Sequence, residues 1–439
     1  MEVAGKRVTV MGLGRHGGGV GAARWLAQQG ARVTITDQLP ADALEESIAT
    51  LAGIPIESWK LGGHDEQSFC ECDWLVVNPA VRPDNPLVQR AAECGVCITS
   101  EIELFLSRCP AQIAGVTGSV GKSSTAWMLH HIFQAAGMRS WLGGNLGGSL
   151  LSDLAVMQPD DWVVLELSSF QLHWLSRGMR MPELAVVTNC RPNHLDWHGT
   201  LEHYRQSKQR LLAEQWPGDR YVLGGTLASD PAWQGPWPGR SIAAWPPERI
   251  GPLKVVGRHQ RENGALAAAA AEAADCDSAA IAAGLAAFSG LPHRLQWVGR
   301  QGGRNVVDDS KATTPASTLA AIEAIERRAW WLIGGADKGS DFEELLARLA
   351  ECAEGVGFYG ATGPRLFELA QARWPQLNCA LRDTLDAALG WCWSLSAVDD
   401  WIVLSPACAS LDQFRDYAQR GEFFRAWCAR LASEERAWH

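Results

Sequence analysis

The sequence predicts an α/β protein built from parallel-sheet domains, and three features carry that prediction. Short apolar runs recur along the chain and end in loops of glycine and small polar residues, as strands do when helices cover both faces of a sheet. Two of those loops, Gly12-Leu-Gly-Arg-His-Gly17 and Gly118-Ser-Val-Gly-Lys-Ser123, have glycine spacings suited to close phosphate approach, and each precedes a helix-forming stretch. The length of 439 residues exceeds what one core usually organises and predicts two or three domains.

The first domain opens with an apolar strand at Val8-Thr-Val-Met11, followed by the glycine-rich turn and a helical pattern that stops at Gly30. A second strand, Val33-Thr-Ile-Thr36, ends at Asp37. An acidic residue there, after Gly-x-Gly-x-x-Gly, suits a nucleotide held by its pyrophosphate and ribose. The same glycines serve a dinucleotide, a sugar nucleotide or plain strand-helix packing. Further on, Trp74-Leu-Val-Val-Asn-Pro79 reads as a buried strand and the stretch around Leu87 to Cys94 as a helix. This alternation gives a small Rossmann-like domain over residues 1–107.

The second domain, residues 108–292, begins with the strand that leads into Gly115-Val-Thr-Gly-Ser-Val-Gly-Lys-Ser-Ser124. This stretch reads as a phosphate-binding loop. Gly115, Thr117, Gly118, Ser119, Val120 and Gly121 would wrap ATP phosphates, and Lys122 would reach the outer ones. The Ser123 hydroxyl would take a Mg²⁺ position, with Ser124 beside it at the N-terminus of the following helix. The apolar strand Asp161-Trp-Val-Val-Leu-Glu-Leu-Ser-Ser-Phe170 delivers the Glu166 carboxylate at its C-terminal end, where a hard cation finds oxygen ligands. Leu184-Ala-Val-Val-Thr-Asn189 is another buried strand, and His194 and Asp196 emerge in the loop beyond it. Lys208 lies on a helix over 201–212. The stretch from Gly225 to Pro247 reads as irregular connection, and the alanine-rich run from Asn263 to Ala283 as one or two packing helices.

The third domain, residues 293–439, is Rossmann-like again. Strands at Asn305-Val-Val-Asp308, Ala329-Trp-Trp-Leu-Ile333 and Trp401-Ile-Val-Leu404 each run into a polar loop, and a helix starts at Ala316.

Composition excludes several function classes. A formal net charge of −10 argues against nucleic acid, which calls for a basic surface. No charged-then-apolar leader opens the chain and no apolar run approaches about 20 residues, so no membrane partner and a cytoplasmic location are expected. Twelve cysteines run from Cys70 to Cys428, with Cys70/Cys72 and Cys94/Cys97 the close pairs. A zinc site is one reading of those pairs. Reduced thiols are the expectation, because a chain of this length needs no staple.

The phosphate loop, with Gly115 and Gly118 flanking Val116, resembles that of the Mur ligases. So do Leu165-Glu-Leu-Ser-Ser-Phe-Gln-Leu172, Gly290-Leu-Pro-His-Arg294, Asp309-Ser-Lys-Ala-Thr313 and Ser405-Pro-Ala-Cys-Ala-Ser-Leu-Asp-Gln-Phe414. The resemblance implies an ATP-dependent ligase that adds D-glutamate to UDP-N-acetylmuramoyl-L-alanine through an acyl phosphate. A sister enzyme adding another amino acid, such as L-glutamate, is the alternative, and a monomer is expected. It implies catalytic roles for Lys122, His194 and Lys208, with Ser123, Glu166, His194 and Lys208 serving metal; Lys208 matches the lysine that the family carbamylates. Asn263, Arg294 and Asp309 would complete the ATP site. Gly14, Arg15, Asp37, Asn78 and Asn145 would contact the precursor, and Lys311, Thr313, Lys338, Ser410 and Tyr417 the incoming amino acid. Ala80, Gln260, Thr314 and Tyr417 depart from the family's usual residues.

Overall fold

A computed structural model describes residues 3–14, 17–255, 257–337 and 339–437. They form two compact units, one reaching to Ile250 and including Glu262–Leu285, the other comprising Gly251–Arg261 and the chain from Ala286 on.

The first unit holds two sheets. Strands β1 (Arg7–Met11), β2 (Arg32–Asp37), β3 (Ser58–Leu61), β4 (Trp74–Val77) and β5 (Cys97–Thr99) make a parallel sheet in the order β3-β2-β1-β4-β5. Strands β6 (Gln112–Thr117), β7 (Ser140–Gly144), β8 (Trp162–Glu166), β9 (Leu184–Val187), β10 (Arg220–Leu223) and β11 (Arg240–Ile242) make a second, in the order β11-β10-β9-β6-β8-β7. Its pairings are all parallel, as covering helices on both faces require. Buried side chains of the two sheets join in one cluster running from Val8 and Val33 to Leu165 and Val187. Helix Glu101–Leu106 contributes Ile102, Leu104, Phe105 and Leu106 to it. The stretch expected to be irregular after Gly225 contains the three-residue edge strand β11.

In the second unit, β12 (Gln296–Gln301), β13 (Arg304–Asp308), β14 (Ala329–Gly334), β15 (Ala353–Tyr359), β16 (Cys379–Arg382) and β17 (Trp401–Leu404) are ordered β12-β13-β17-β14-β15-β16. Only the β12–β13 pairing is antiparallel among these. Alternation fills both faces: Val307, Trp331, Ile333 and Val403 pack on one side, and Val306, Trp330, Leu332 and Ile402 on the other. Burying each such side chain stabilises the fold by about 1.5–3 kcal/mol, which accounts structurally for adjacent tryptophans in β14.

One expectation is overturned. Cys70 and Cys94 form a disulfide, with Cα atoms 5.4 Å apart, whereas reduced thiols were expected throughout. The partners are not neighbours in sequence. They meet because Phe69, on helix Gln67–Cys70, packs in one apolar cluster with Val88 and Ala91 of helix Pro86–Glu93.

Candidate functional site

The C-terminal ends of β6, β8 and β9 converge because the three strands are neighbours in register, Gly115 lying between Leu165 and Ala185. Gly115 itself is buried mid-strand, where an added Cβ would meet Pro182 Cγ at 2.7 Å, so it packs the sheet rather than lining the loop. Beyond it the chain turns through Gly118, at φ +149°, and Gly121, at φ +83°. A Cβ at Gly118 would stand 1.9 Å from Thr188 Oγ1, and one at Gly121 only 2.3 Å from Asn263 Oδ1. Both positions therefore demand glycine, by close approach and by left-handed backbone. Helix Lys122–Ala135 starts directly after the turn, so its free N–H groups face the loop.

The loop is braced from the next strand end. Ser119 N donates to Asn189 O (3.0 Å), Val120 N to Asn189 Oδ1 (3.1 Å), and Thr188 Oγ1 to Val120 O (2.6 Å). The Ser119 hydroxyl lies 2.8 Å from the Tyr204 hydroxyl and accepts from Arg191 N at the same distance. Thr117 Oγ1 donates to Leu167 O (2.7 Å). Thr188, Asn189 and Tyr204 were not singled out from the sequence; the one available signal was that Tyr204 precedes Lys208 by a helical turn.

Glu166 emerges where β8 ends. It accepts from Ser123 Oγ at 2.5 Å and from Asn145 Nδ2 at 2.7 Å, and its own carbonyl accepts from Asn145 N. A hydroxyl and a carboxylate set side by side at a helix N-terminus are the donor types that a Mg²⁺ ion prefers, so Ser123 and Glu166 fit that ion. Among the described residues no group of three or more His, Cys, Asp or Glu is arranged to hold a metal ion by itself.

Lys208 is 1% exposed, and its Nζ donates to Gly118 O at 2.8 Å and sits 4.7 Å from the centre of the Tyr204 ring. Burial, reinforced by the charge of Lys122, pulls its amine down from 10.5 to about 7. Lys122 Nζ donates to Ser119 O at 3.1 Å. His194 is exposed, holds φ +53° as the N-cap of a four-residue helix, and its ring lies tilted 4.8 Å from that of Phe170. Partial burial lowers its pKa, Asp196 opposes that shift, and Lys122 and Lys208 add to it. Lys122, Glu166, His194, Lys208, Asn145 and Asn263 thus belong to one neighbourhood around residues 118–124. Ser124 is buried in the first helical turn.

In the N-terminal sheet, a cavity of about 620 Å³ is lined by Gly12, Gly14, Asp37, His64, Asn78 and Arg82, among others. The Asp37 carboxylate accepts from Gly14 N (3.2 Å) and Leu39 N (2.9 Å), while Asn78 Nδ2 donates to Gly12 O (3.2 Å). Asp37 and Asn78 therefore hold the glycine turn as well as facing the cavity. Arg15 lies outside the described residues, as does Lys338.

The second unit gathers the other expected residues. Asp309 is buried, accepts from Ser405 Oγ (2.7 Å) and Leu295 N (3.0 Å), and is pushed up to about 7 by that burial. Lys311 is tied through its backbone to His293 O, and its Nζ stands 5.2 Å from the Tyr417 ring. Arg294 and Thr313 are exposed close by in sequence, and Ser410 is buried. Two supporting groups escaped the sequence reading. His293 Nδ1 lies 2.8 Å from Asp308 Oδ2. Arg420, fully buried, donates to Ser310 O (2.8 Å), Ser310 Oγ (3.0 Å) and twice to Cys408 O (3.1 Å), fastening the loop after β13 to the loop after β17.

Comparison with known proteins matches this arrangement throughout its length. Residues 6–100 fit the model described as Mur ligase MurD-like, N-terminal domain; 116–232 fit Mur ligase middle domain; 293–408 fit Mur ligase, glutamate ligase domain. A Roseiflexus (strain RS-1) protein named UDP-N-acetylmuramoylalanine–D-glutamate ligase is 34% identical over 465 aligned positions, covering 97% of this chain and 98% of that one. The chain belongs to the Mur ligase family. A Koribacter versatilis (strain Ellin345) Mur ligase of the same name is 31% identical, over 99% of this chain and all of its own. The Mur ligase fold is shared with the solved UDP-N-acetylmuramate-alanine ligase MurC of Thermotoga maritima, at TM-score 0.56 and 20% identity, covering 96% of this chain and 99% of that one. It is shared too with the MurF ligase of that organism in complex with ADP, at 0.54 and 16%, covering 99% and 96%. The dinucleotide reading of Gly12–Gly17 is set aside, since this turn lies in the MurD-like domain.

Proposed function

We propose that this Mur ligase joins D-glutamate to UDP-N-acetylmuramoyl-L-alanine at the expense of ATP. The observation that carries the reading is the full-length relation to ligases of that name, together with the chemistry gathered at residues 118–124. Residues 1–107, 108–292 and 293–439 act as precursor, ATP and amino-acid domains.

The terminal alanine carboxylate attacks the γ-phosphorus of ATP, ADP departs, and the amine of glutamate then attacks the acyl carbon and expels phosphate. Two anions meet in the first step, so cationic groups must offset their repulsion. Lys122 and the helix N-terminus at Lys122–Ala135 supply that charge from the protein. Ser123 and Glu166 would hold Mg²⁺, and His194 would serve a second ion, whose positive charge would offset that of the phosphate oxygens. Asn145 orients the Glu166 carboxylate. Asn263, against Gly121, borders the ATP loop. Gly14, Asp37 and Asn78 shape the cavity for the UDP end of the precursor. Lys311, Thr313, Ser410 and Tyr417 receive the amino acid, whose two carboxylates suit cation and hydroxyl donors.

Lys208 has the property that carbamylation requires. Only a neutral amine adds CO₂, and an amine near 7 is substantially neutral at physiological pH. The addition releases a proton and places an anion beside Lys122, at a position where burial first and the charge of Lys122 second disfavour a protonated amine.

The reaction runs in the cytoplasm, where ATP is available, and on a monomer. Among the described residues no helix is long and apolar enough to cross a membrane. Incubating purified protein with ATP, Mg²⁺, UDP-N-acetylmuramoyl-L-alanine and amino acids of both hands tests the reading. ADP release and a new amide are expected with D-glutamate; a product with L-glutamate instead would transfer the assignment to a sister ligase, and no ADP with any amino acid would overturn it.

A further inference from the structure

The Cys70–Cys94 disulfide stands apart from the other thiols of the protein. Cys72, Cys109, Cys276, Cys392, Cys408 and Cys428 are buried, Cys190, Cys352 and Cys379 half-buried and Cys97 exposed, all of them free; Cys94, exposed, and Cys70, half-buried, are bonded to each other. Small-molecule thiols can therefore reach the pair. Its first domain already has an extensive apolar core, so the bond is not needed as a staple for folding.

Its position is what gives the bond a consequence. Cys70 ends helix Gln67–Cys70 and Cys94 caps the C-terminus of helix Pro86–Glu93. The loops entering both helices line the 620 Å³ cavity: His64 from the first, and Asn78, Val81, Arg82 and Asn85 from the second. His64 Nδ1 lies 2.6 Å from Thr36 Oγ1, and Asn85 caps its helix by accepting from Leu87 N and Val88 N. Without the bond, the two helices are joined by the packing of Phe69 with Val88 and Ala91 and by the Arg90–Glu66 pair at 2.8 Å. That pair is more than half exposed on the Glu66 side and contributes little.

We propose that Cys70 and Cys94 are a reversible oxidation site for a low-molecular-weight disulfide, and that closing the bond stiffens both walls of this cavity. The Cys94 thiolate attacks one sulfur of glutathione disulfide, forming a mixed disulfide and expelling one glutathione thiolate. The Cys70 thiolate then attacks the Cys94 sulfur and expels the second. Two protein thiols lose two electrons, one disulfide is reduced to two glutathiones, and the two protons pass to the released thiols. The consequence for precursor affinity rests on the reading of this cavity as the UDP site.

The test uses the full-length protein equilibrated with reduced or oxidised glutathione, in parallel with Cys70→Ser and Cys97→Ser. Peptide mass mapping reports the bond, hydrogen exchange reports residues 78–85, and calorimetry reports binding of UDP-N-acetylmuramoyl-L-alanine. The bond should open and re-form; exchange at 78–85 should slow several-fold on oxidation, and precursor affinity should rise about threefold or more. Cys70→Ser should match the reduced protein in both buffers, and Cys97→Ser should respond like the parent. A pair that fails to re-form with oxidised glutathione, or equal exchange at 78–85 in the two forms, would overturn the proposal. Should the exchange difference persist while neither form binds the precursor, the thiol site is supported and the functional reading of the cavity falls.

Discussion

Replacing Lys208 by methionine should stabilise the protein while abolishing its activity. Methionine fills a similar volume without a charge, and the burial of the amine sets the sign and order of magnitude of the effect. The Lys208 amine falls from 10.5 to about 7 on folding, and each unit is worth about 1.4 kcal/mol, so the buried charge costs roughly 5 kcal/mol where the amine is protonated in both states. Losing the 2.8 Å hydrogen bond to Gly118 O returns about 1 to 2 kcal/mol of that, leaving a net gain of about 3 to 4 kcal/mol. The sign with pH follows from a lowered folded pKa. The penalty is complete below about 7 and fades as pH climbs toward 10.5, because over that span the unfolded chain binds the extra proton. The advantage of Lys208→Met in urea unfolding should therefore shrink by roughly 3 kcal/mol between about pH 6 and about pH 9 in CO₂-free buffer. A constant difference over that range would refute a buried amine titrating near neutrality. So would a destabilised variant.

Other substitutions probe the rest of the site. Glu166→Gln keeps the shape but removes the charge that Ser123 and Asn145 address, so kcat should fall about a hundredfold or more and the Mg²⁺ requirement should rise, read by titrating the metal in the ADP-release assay. Gly121→Ala puts a Cβ 2.3 Å from Asn263 Oδ1 at φ +83°, costing about 1 to 2 kcal/mol in backbone alone; the KM for ATP should rise about tenfold or more. Arg420→Met strips four hydrogen bonds that join the Ser310 and Cys408 loops. It should destabilise the second unit by about 3 kcal/mol in thermal unfolding and raise the KM for glutamate more than that for ATP.

What the sequence made legible follows physical lines. Strands buried on both faces, such as Trp162–Glu166 and Leu184–Val187, announce themselves as continuous apolar runs. Edge strands do not: Ser58–Leu61 carries an exposed Trp59 and Lys60, and Ser140–Gly144 ends in two glycines. The phosphate loop was readable because its constraint is local, a glycine at each left-handed position. Its brace at Thr188 and Asn189 was not, since those side chains acquire their role only when β9 lies beside β6. The same holds for Cys70 and Cys94, 24 residues apart and joined by helix packing, and for Arg420, whose partners at Ser310 and Cys408 come from two distant loops. The depressed Lys208 amine is likewise a property of burial, invisible on a helix that reads as ordinary.

In the proposed reaction ATP splits at residues 118–124 to activate a carboxyl group. Precursor labelled with ¹⁸O in its alanine carboxylate tests it directly, because the oxygen that attacks phosphorus leaves later with the phosphate. Mass analysis of the phosphate released during D-glutamate addition should find one labelled oxygen in each molecule. Unlabelled phosphate, with the amide nevertheless formed, would contradict an acyl phosphate made at this loop.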